Sequence, residues 1–287
     1  MDKIPYDRLW IYELSGSLAR AEPDPKKGFL GCWTEGEWSF LFFDRPAEKE
    51  ATALGGSCKI RQRHEMSYLD WQGGQALAPF SVGDLYFRPP WVEAPADPGP
   101  DRIDLLLDPG LVFGSGNHPT TRRCLEALVL LAREEMLPER VLDLGCGTGI
   151  LSLAAAGLGA RVLAVDLNPL CCRTAQRNAA LNALKERIRI VAGDALDYSK
   201  EPAGLLMANL LPELIAALDA AGGLAGRKSL ILSGVTRSGR GRVEGLIQDQ
   251  GFSTIKVWED QATWFTFLAR RDDTTGNGWA GGRLSQA

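Results

Sequence analysis

The sequence predicts an α/β protein in which a mostly parallel β-sheet is covered by helices on both faces. From residue 141 onward, short apolar strand-like segments alternate with helix-like segments, which is the pattern of strands joined by crossover helices. A glycine-rich turn joins the first of these strands to the first helix. Pro119 and Pro169 stand where the first turn of a helix accepts proline.

The individual elements follow from this alternation. Strands are predicted at 141–145, 161–166, 188–191, 205–211 and 230–235, followed by two strands at 253–259 and 264–270 that are joined by a turn at 260–262. Helices are predicted at 150–158, 171–184, 212–224 and 241–250. Because ligands of such sheets bind at the carboxyl ends of the strands, we expect the functional site at that edge.

The amino-terminal part predicts a separate, small α+β unit over residues 1–60. Aromatic-rich strands are predicted at 8–14, 29–34 and 37–43, the last two forming a hairpin, and a short helix at 46–54 ends at two glycines. Residues 61–100 are predicted as a linker, with the sequence APADPGP at 94–100 as its clearest part. The main domain then covers 101–271, and residues 272–287 are predicted as a loose tail.

Composition limits the functional classes. Hydrophobic residues make up 45% and the net charge is −4, so a basic surface for nucleic acid is not expected. The most apolar stretch, 204–226, is interrupted by polar residues, and the amino terminus does not resemble a signal peptide, which predicts a cytoplasmic protein without membrane association. No pair of cysteines has metal-ligand spacing, so neither a zinc site nor a disulfide framework is predicted. The cysteines are Cys32, Cys58, Cys124, Cys146, Cys171 and Cys172.

The glycine-rich turn, DLGCGTG at 143–149, is the most informative motif. Gly145, Gly147 and Gly149 allow the backbone to bend sharply and a ligand to approach it closely. Their G-x-G-x-G spacing differs from the G-x-G-x-x-G of dinucleotide-binding proteins. Asp143 would repel a pyrophosphate but attract a ligand with a cationic end, such as S-adenosylmethionine. We therefore expect Asp143 and the three glycines to bind that cofactor, with a turn that binds nothing as the alternative.

Polar residues at the ends of the following strands extend this prediction. Asp166 is suited to accept from two ribose hydroxyls, although it could instead cap the helix that begins near residue 168. Asp194 could accept from an adenine amino group or be a solvated loop residue. Asn209 could accept hydrogen bonds from an incoming amine and orient its lone pair, or cap the helix from residue 212.

A second unusual run, LDPGLVFGSGNHPTT at 107–121, precedes the sheet. It ends in a loop–helix entry that would present backbone amides and hydroxyls to a ligand. His118 invites a catalytic interpretation, but no nucleophile or metal-ligand set accompanies it in the sequence.

Together, the 107–121 run, VLDLGCGTGILSLAAAGLGA at 141–160, AVDLNP at 164–169 and ANLL at 208–211 resemble the methyltransferases of ribosomal protein L11. The resemblance covers roughly residues 71–271 and includes DLYFRPPW at 84–91. It implies a seven-stranded Rossmann-like sheet whose last strand is antiparallel, and a ferredoxin-like front domain that recognises a protein substrate. It also implies that Thr121, Gly145, Asp166 and Asn209 hold S-adenosylmethionine, with Asn209 near the acceptor amine.

The sequence departs from this family at three places. The segment between the first two strands is short and contains prolines where the family has a helix, which predicts a shortened front domain. The family's GTGTHPTT is GSGNHPTT at 114–121, and its NILA is NLLP at 209–212. The resemblance implies methylation of a lysine side chain or amino terminus of a large-subunit ribosomal protein. A small-molecule methyltransferase, a non-catalytic scaffold and a nicotinamide oxidoreductase remain alternatives.

Overall fold

The computed structural model describes residues 7–18, 22–74, 77–95, 99 and 101–271. Among the helices of these segments, none has the length and apolar character needed to cross a membrane. The strands are β1 (Arg8–Ser15), β2 (Phe29–Glu35), β3 (Trp38–Phe43), β4 (Lys59–Ser67), β5 (Phe80–Val82), β6 (Leu85–Arg88), β7 (Ile103–Leu106), β8 (Arg140–Leu144), β9 (Arg161–Asp166), β10 (Ile188–Ala192), β11 (Leu205–Asn209), β12 (Ser229–Thr236), β13 (Phe252–Asp260) and β14 (Trp264–Arg271). The helices are α1 (Glu48–Gly55), α2 (Tyr68–Trp71), α3 (Pro119–Arg133), α4 (Ile150–Gly157), α5 (Pro169–Leu181), α6 (Pro212–Ala220) and α7 (Arg240–Asp249).

The main sheet has seven strands within the described residues, in the order β10-β9-β8-β11-β12-β14-β13. The five strands from β10 to β12 run parallel, and β14 is antiparallel to both of its neighbours. Helices α3, α4 and α5 bury apolar residues against one face, and α6 and α7 bury theirs against the other. This arrangement confirms the predicted α/β class and the prediction that the last strand in the sequence is antiparallel.

The front sheet has the order β2-β3-β1-β4, and all of its pairs are antiparallel. Helix α1 covers one face, where Ala51 packs into a cluster of aromatic and aliphatic residues. The other face packs directly on the main domain: Ile11 and Phe42 share a buried cluster with Leu111 and Leu170. The front sheet is therefore held between its own helix and α5.

The linker predicted over 61–100 is corrected by the structure. Strand β4 pairs with β1 along its length and completes the front sheet, while β5 and β6 join β7 in a three-stranded sheet. Strand β4 lies at a sheet edge and reads KIRQRHEMS, so its polar residues hide the alternation expected of a half-buried strand. Of the predicted connector at 94–100, residues 96–98 and 100 lie outside the described residues, as does the predicted tail at 272–287.

Candidate active site

The glycine-rich turn bends as predicted, but its glycines are required by the protein itself. Gly145, Gly147 and Gly149 have φ values of 76°, 54° and 81°, which disfavour residues with a side chain. A Cβ on Gly147 would lie 2.5 Å from the carbonyl oxygen of Phe113, and one on Gly145 would lie 2.6 Å from the Leu210 side chain. Close approach by a ligand is therefore not needed to explain these residues.

Asp143 lies beneath this turn and not in the open cleft. Only 1% of its surface is exposed, and the Ser152 hydroxyl donates to its Oδ2 at 2.5 Å. Burial raises the pKa of the Asp143 carboxyl to about 7, against the effect of the Ser152 hydrogen bond. Because Ser152 lies in the first turn of α4, the carboxyl fills the helix end where nucleotide-binding folds hold a phosphate. The geometry disfavours a pyrophosphate ligand, and it leaves Asp143 too enclosed for the direct ligand contact that we expected.

Asp166 ends β9 at the edge of the same cleft, and it is half-buried. Its Oδ2 accepts from the Gly147 amide at 2.9 Å and its Oδ1 from the Asn168 amide at 2.8 Å. Asn168 caps α5 by accepting from the Leu170 amide, so the alternative that Asp166 caps this helix is wrong. Each carboxylate oxygen keeps a further lone pair for a ligand donor.

Asp194 lies in the turn that follows β10. Its Oδ1 accepts from the Leu196 amide at 2.9 Å, and the residue is exposed. The amide of Gly193 donates to the Asp166 carbonyl at 3.0 Å, which brings this turn next to the end of β9. Asp194 therefore lies near Asp166, and it also stabilises its own turn, which agrees with the alternative that it is a loop residue.

Asn209 is the last residue of β11, and its side chain is held by a hydrogen-bonded relay. Its Nδ2 donates to Thr120 Oγ1 at 3.2 Å, and Thr120 Oγ1 lies 2.7 Å from His118 Nδ1. Because Nδ1 also accepts from the Thr120 amide, the Thr120 hydroxyl donates to Nδ1 and accepts from Asn209. The relay leaves Asn209 Oδ1 available as an acceptor. Helix α6 has Leu211 at its N-cap, so the alternative that Asn209 caps it is wrong.

The structure gives His118 a positioning role. It is the N-cap of α3, and its ring lies between the rings of Phe113 and Trp264, at centroid distances of 5.5 and 5.2 Å. Burial lowers its pKa, so the ring is neutral at pH 7 and its proton is on Nε2. Sequence reasoning missed Phe113, Thr120 and Trp264, although Thr120 belongs to the same HPTT run as Thr121.

Thr121 is buried in the first turn of α3, with 1% of its surface exposed. Its hydroxyl oxygen has no hydrogen-bond partner among the described residues. A buried hydroxyl without a partner costs free energy, about 1–3 kcal/mol. This atom is as enclosed as the Asp143 carboxyl, so the cofactor contact that the resemblance implies for Thr121 stays a prediction.

A cavity of about 520 Å³ lies on the front-sheet side of residues 111–119. His118 lines this cavity and connects it to Asn209 through Thr120. Among the described residues that line the cavity, none is a predicted cofactor residue. The lining residues are Trp33, Trp71, Gln72, Gly73, Leu111, Val112, Phe113, Gly114, Ser115, Asn117, His118, Pro119 and Gln261.

Comparisons with known proteins identify the family of this chain and agree with its fold. The model of the family described as ribosomal protein L11 methyltransferase (PrmA) matches residues 45–272. Proteins of that name from Heliobacterium modesticaldum and Deinococcus radiodurans are 34% and 32% identical over 89% and 92% of this chain, and over 83% and 100% of their own. The crystal structure of the ribosomal protein L11 methylase from Lactobacillus delbrueckii subsp. bulgaricus superposes with a TM-score of 0.56 at 29% identity, covering 68% of this chain and all of that one. The chain therefore belongs to the ribosomal protein L11 methyltransferase family.

Proposed function

We propose that this protein is an S-adenosylmethionine-dependent N-methyltransferase that methylates an amine of a large-subunit ribosomal protein, at a lysine side chain or an amino terminus. The observation that carries the proposal is the orientation of Asn209. Its Nδ2 is engaged by Thr120, so its Oδ1 is the atom that can accept from an incoming amine. This acceptor lies at the carboxyl end of β11, where folds of this type bind their ligands.

Several residues fit the cofactor. The partly exposed Asp166 carboxylate can accept from ribose hydroxyls, and the buried Thr121 hydroxyl is an unused hydrogen-bonding group at the start of α3. Asp194 lies close enough to Asp166 to contact the adenine end, and Gly145 bounds the site from β8. Asp143 lies beneath the turn, where its raised pKa leaves the carboxyl only partly charged at pH 7. When bound, S-adenosylmethionine supplies a methyl group on a sulfonium, which an amine can attack without a general acid.

The residues around Asn209 act on the amine by orientation. Asn209 Oδ1 and a neighbouring backbone carbonyl accept its N–H groups, which directs the nitrogen lone pair. A free lysine has a pKa near 10.4 and is mostly protonated at pH 7, so the site works on its neutral fraction. Orientation to a near-attack geometry can contribute on the order of 7 kcal/mol. A strong base is therefore not required, which agrees with the neutral His118 beside the site.

A protein acceptor is favoured over a small molecule. The cavity beside His118 is walled on one side by Trp33 of β2 and Trp71 of α2, so the front sheet shapes the approach to Asn209. A small acceptor has no need of that additional sheet. The relatives named for ribosomal protein L11 support a ribosomal protein as the substrate. Activity on such a substrate requires a cytoplasmic protein, and the proposal involves no direct contact with nucleic acid.

Two measurements test the proposal. Isothermal calorimetry with S-adenosylmethionine and, separately, NAD should show binding of the first alone. Transfer of an isotope-labelled methyl group into ribosomal proteins purified from a strain that lacks this gene should label one protein, which mass spectrometry then maps to an amine. Label in small molecules alone would support the small-molecule alternative. Cofactor binding without any transfer would support a scaffold.

A further inference from the structure

The turn between β13 and β14 has an unfavourable backbone. The Thr263 amide donates to the Asp260 carbonyl at 3.0 Å, and the two residues between them, Gln261 and Ala262, have φ values of 52° and 54°. Turns of this type strongly prefer Asn, Asp or Gly at such positions, because a Cβ is crowded in the left-handed region. The chain therefore keeps two unsuitable residues at one turn.

Two arginines from other elements hold this turn in place. Arg123 of α3 donates to Asp260 with two nitrogens, Nη2 to Oδ1 at 2.8 Å and Nε to Oδ2 at 3.0 Å. Arg237, which follows β12, donates from Nε to the Ala262 carbonyl at 2.7 Å. Strained backbone that is fixed from several directions is characteristic of binding and catalytic sites, so the turn is a candidate for one.

Gln261 lies where two cavities meet. It lines the cavity of about 520 Å³ beside His118 and also a neighbouring one of about 570 Å³, which includes Arg122 and Glu126 in its wall. The two cavities share Asn117, Pro119 and Gln261. Among the residues described along the wall of the first cavity, none is Asp, Glu, Lys or Arg. Its polar side chains include the amides of Gln72, Asn117 and Gln261.

We propose that Gln261 is a specificity-determining residue that hydrogen-bonds the main chain of the acceptor polypeptide where it passes from one cavity to the other. This inference rests on the proposed function. A primary amide both donates and accepts, as a peptide group does, so one glutamine can pair with one residue of an extended chain. The uncharged wall of the first cavity suits the main chain of the acceptor next to its reacting amine. The charged wall of the second cavity suits polar residues of the acceptor that lie further along its chain.

Three variants of the full-length protein test this role. Gln261→Gly and Ala262→Gly each relieve one strained residue, so each should raise Tm by about 2 °C. Gln261→Ala keeps the strain and should leave Tm unchanged. The KM for the ribosomal protein acceptor should rise about tenfold in both Gln261 variants, as expected for one lost hydrogen bond, and stay unchanged in Ala262→Gly. The calorimetric Kd for S-adenosylmethionine should be the same in all three.

The results separate this inference from the proposed function. If both Gln261 variants keep the wild-type KM, or if Ala262→Gly raises KM as much as Gln261→Gly, the inference is overturned while wild-type methyl transfer stands. If the wild-type protein transfers no methyl group to any ribosomal protein, the proposed function fails, and the inference fails with it.

Discussion

Ser152 donates a hydrogen bond to the buried carboxyl of Asp143 at 2.5 Å, beneath the glycine-rich turn. The pair joins the end of β8 to the first turn of α4 and fills a helix end that would otherwise attract an anion. Since burial raises the pKa of Asp143 to about 7, the pair also makes stability depend on pH.

For a carboxyl whose pKa is lowered on folding, stability rises with pH; the raised pKa of Asp143 has the opposite effect. Between about pH 4 and pH 7 the folded protein keeps the Asp143 proton while the unfolded chain loses it, so the free energy of unfolding falls as pH rises. The Asp143→Asn variant lacks this titration. We expect the stability difference between wild type and variant to fall by up to about 4 kcal/mol from pH 4 to pH 8 in urea unfolding. Parallel stability curves for the two proteins would contradict the raised pKa.

Replacing Asn209 should separate turnover from cofactor affinity. Asn209→Ala removes the Oδ1 that orients the amine, and misplacement of a reacting group can cost about 100-fold in kcat. The calorimetric Kd for S-adenosylmethionine should change much less, because Asp166 and Thr121 remain. Equal losses in kcat and in cofactor affinity would remove the orienting role of Asn209.

The Thr120 hydroxyl should affect turnover by holding the Asn209 side chain in its orientation. Thr120→Val keeps the shape of the side chain but removes the link between His118 and Asn209. We expect kcat to fall about tenfold, the equivalent of one hydrogen bond, with an unchanged cofactor Kd. Thr120→Ser keeps the hydroxyl and serves as the matched control, and it should retain most of the activity. An active Thr120→Val enzyme would show that Asn209 needs no relay.

Arg227 should be important for stability alone. It is 4% exposed, and its guanidinium donates to the carbonyl oxygens of Ser199, Glu201, Ala203 and Gly223. Arg227→Met would leave these carbonyls without a donor, so we expect a loss of about 3 kcal/mol in the free energy of unfolding. Arg227→Lys should lose less, because an ammonium still donates. A wild-type urea midpoint in Arg227→Met would show that water replaces the guanidinium at no cost.

The contact between Gly31 and Leu170 can be tested by a double-mutant cycle. A Cβ on Gly31 would lie 2.9 Å from Leu170 Cδ1, at a φ of 152°. Gly31→Ala should destabilise the protein by about 1–3 kcal/mol through overpacking. Leu170→Ala creates space for the added methyl group, so the double variant should be more stable than the sum of the single effects predicts, by about 1 kcal/mol. If the two changes in the free energy of unfolding are strictly additive, the methyl group added at position 31 does not contact Leu170.

The parallel sheet could be predicted because its signals are local. Apolar runs, the glycines after β8 and the prolines that begin α3 and α5 each mark an element within a few residues. Strand β4 was missed because an edge strand is polar on most of its length, and only its pairing with β1 defines it.

The sequence indicated which edge of the sheet carries Asp166 and Asn209, but not what their side chains contact. Asp166 and Asn209 end β9 and β11, two parallel strands on either side of β8, so their common edge followed from the parallel topology. The hydrogen-bond partner of Asn209 could not be predicted, because Thr120 is 89 residues away and the pairing depends on how α3 packs against the sheet. The enclosure of Asp143 likewise depends on α4 covering it, which the alternation of strands and helices does not reveal.

Leu170 occupies the second position of α5, close behind the Asn168 cap and the Asp166 carboxylate. The front sheet at Gly31 therefore packs against the start of the helix that lies beside this carboxylate. A molecule bound to the front sheet and a molecule bound at Asp166 would bias the same contact. If binding at one place displaces this contact, thermodynamic reciprocity requires that each molecule change the affinity of the other by the same factor.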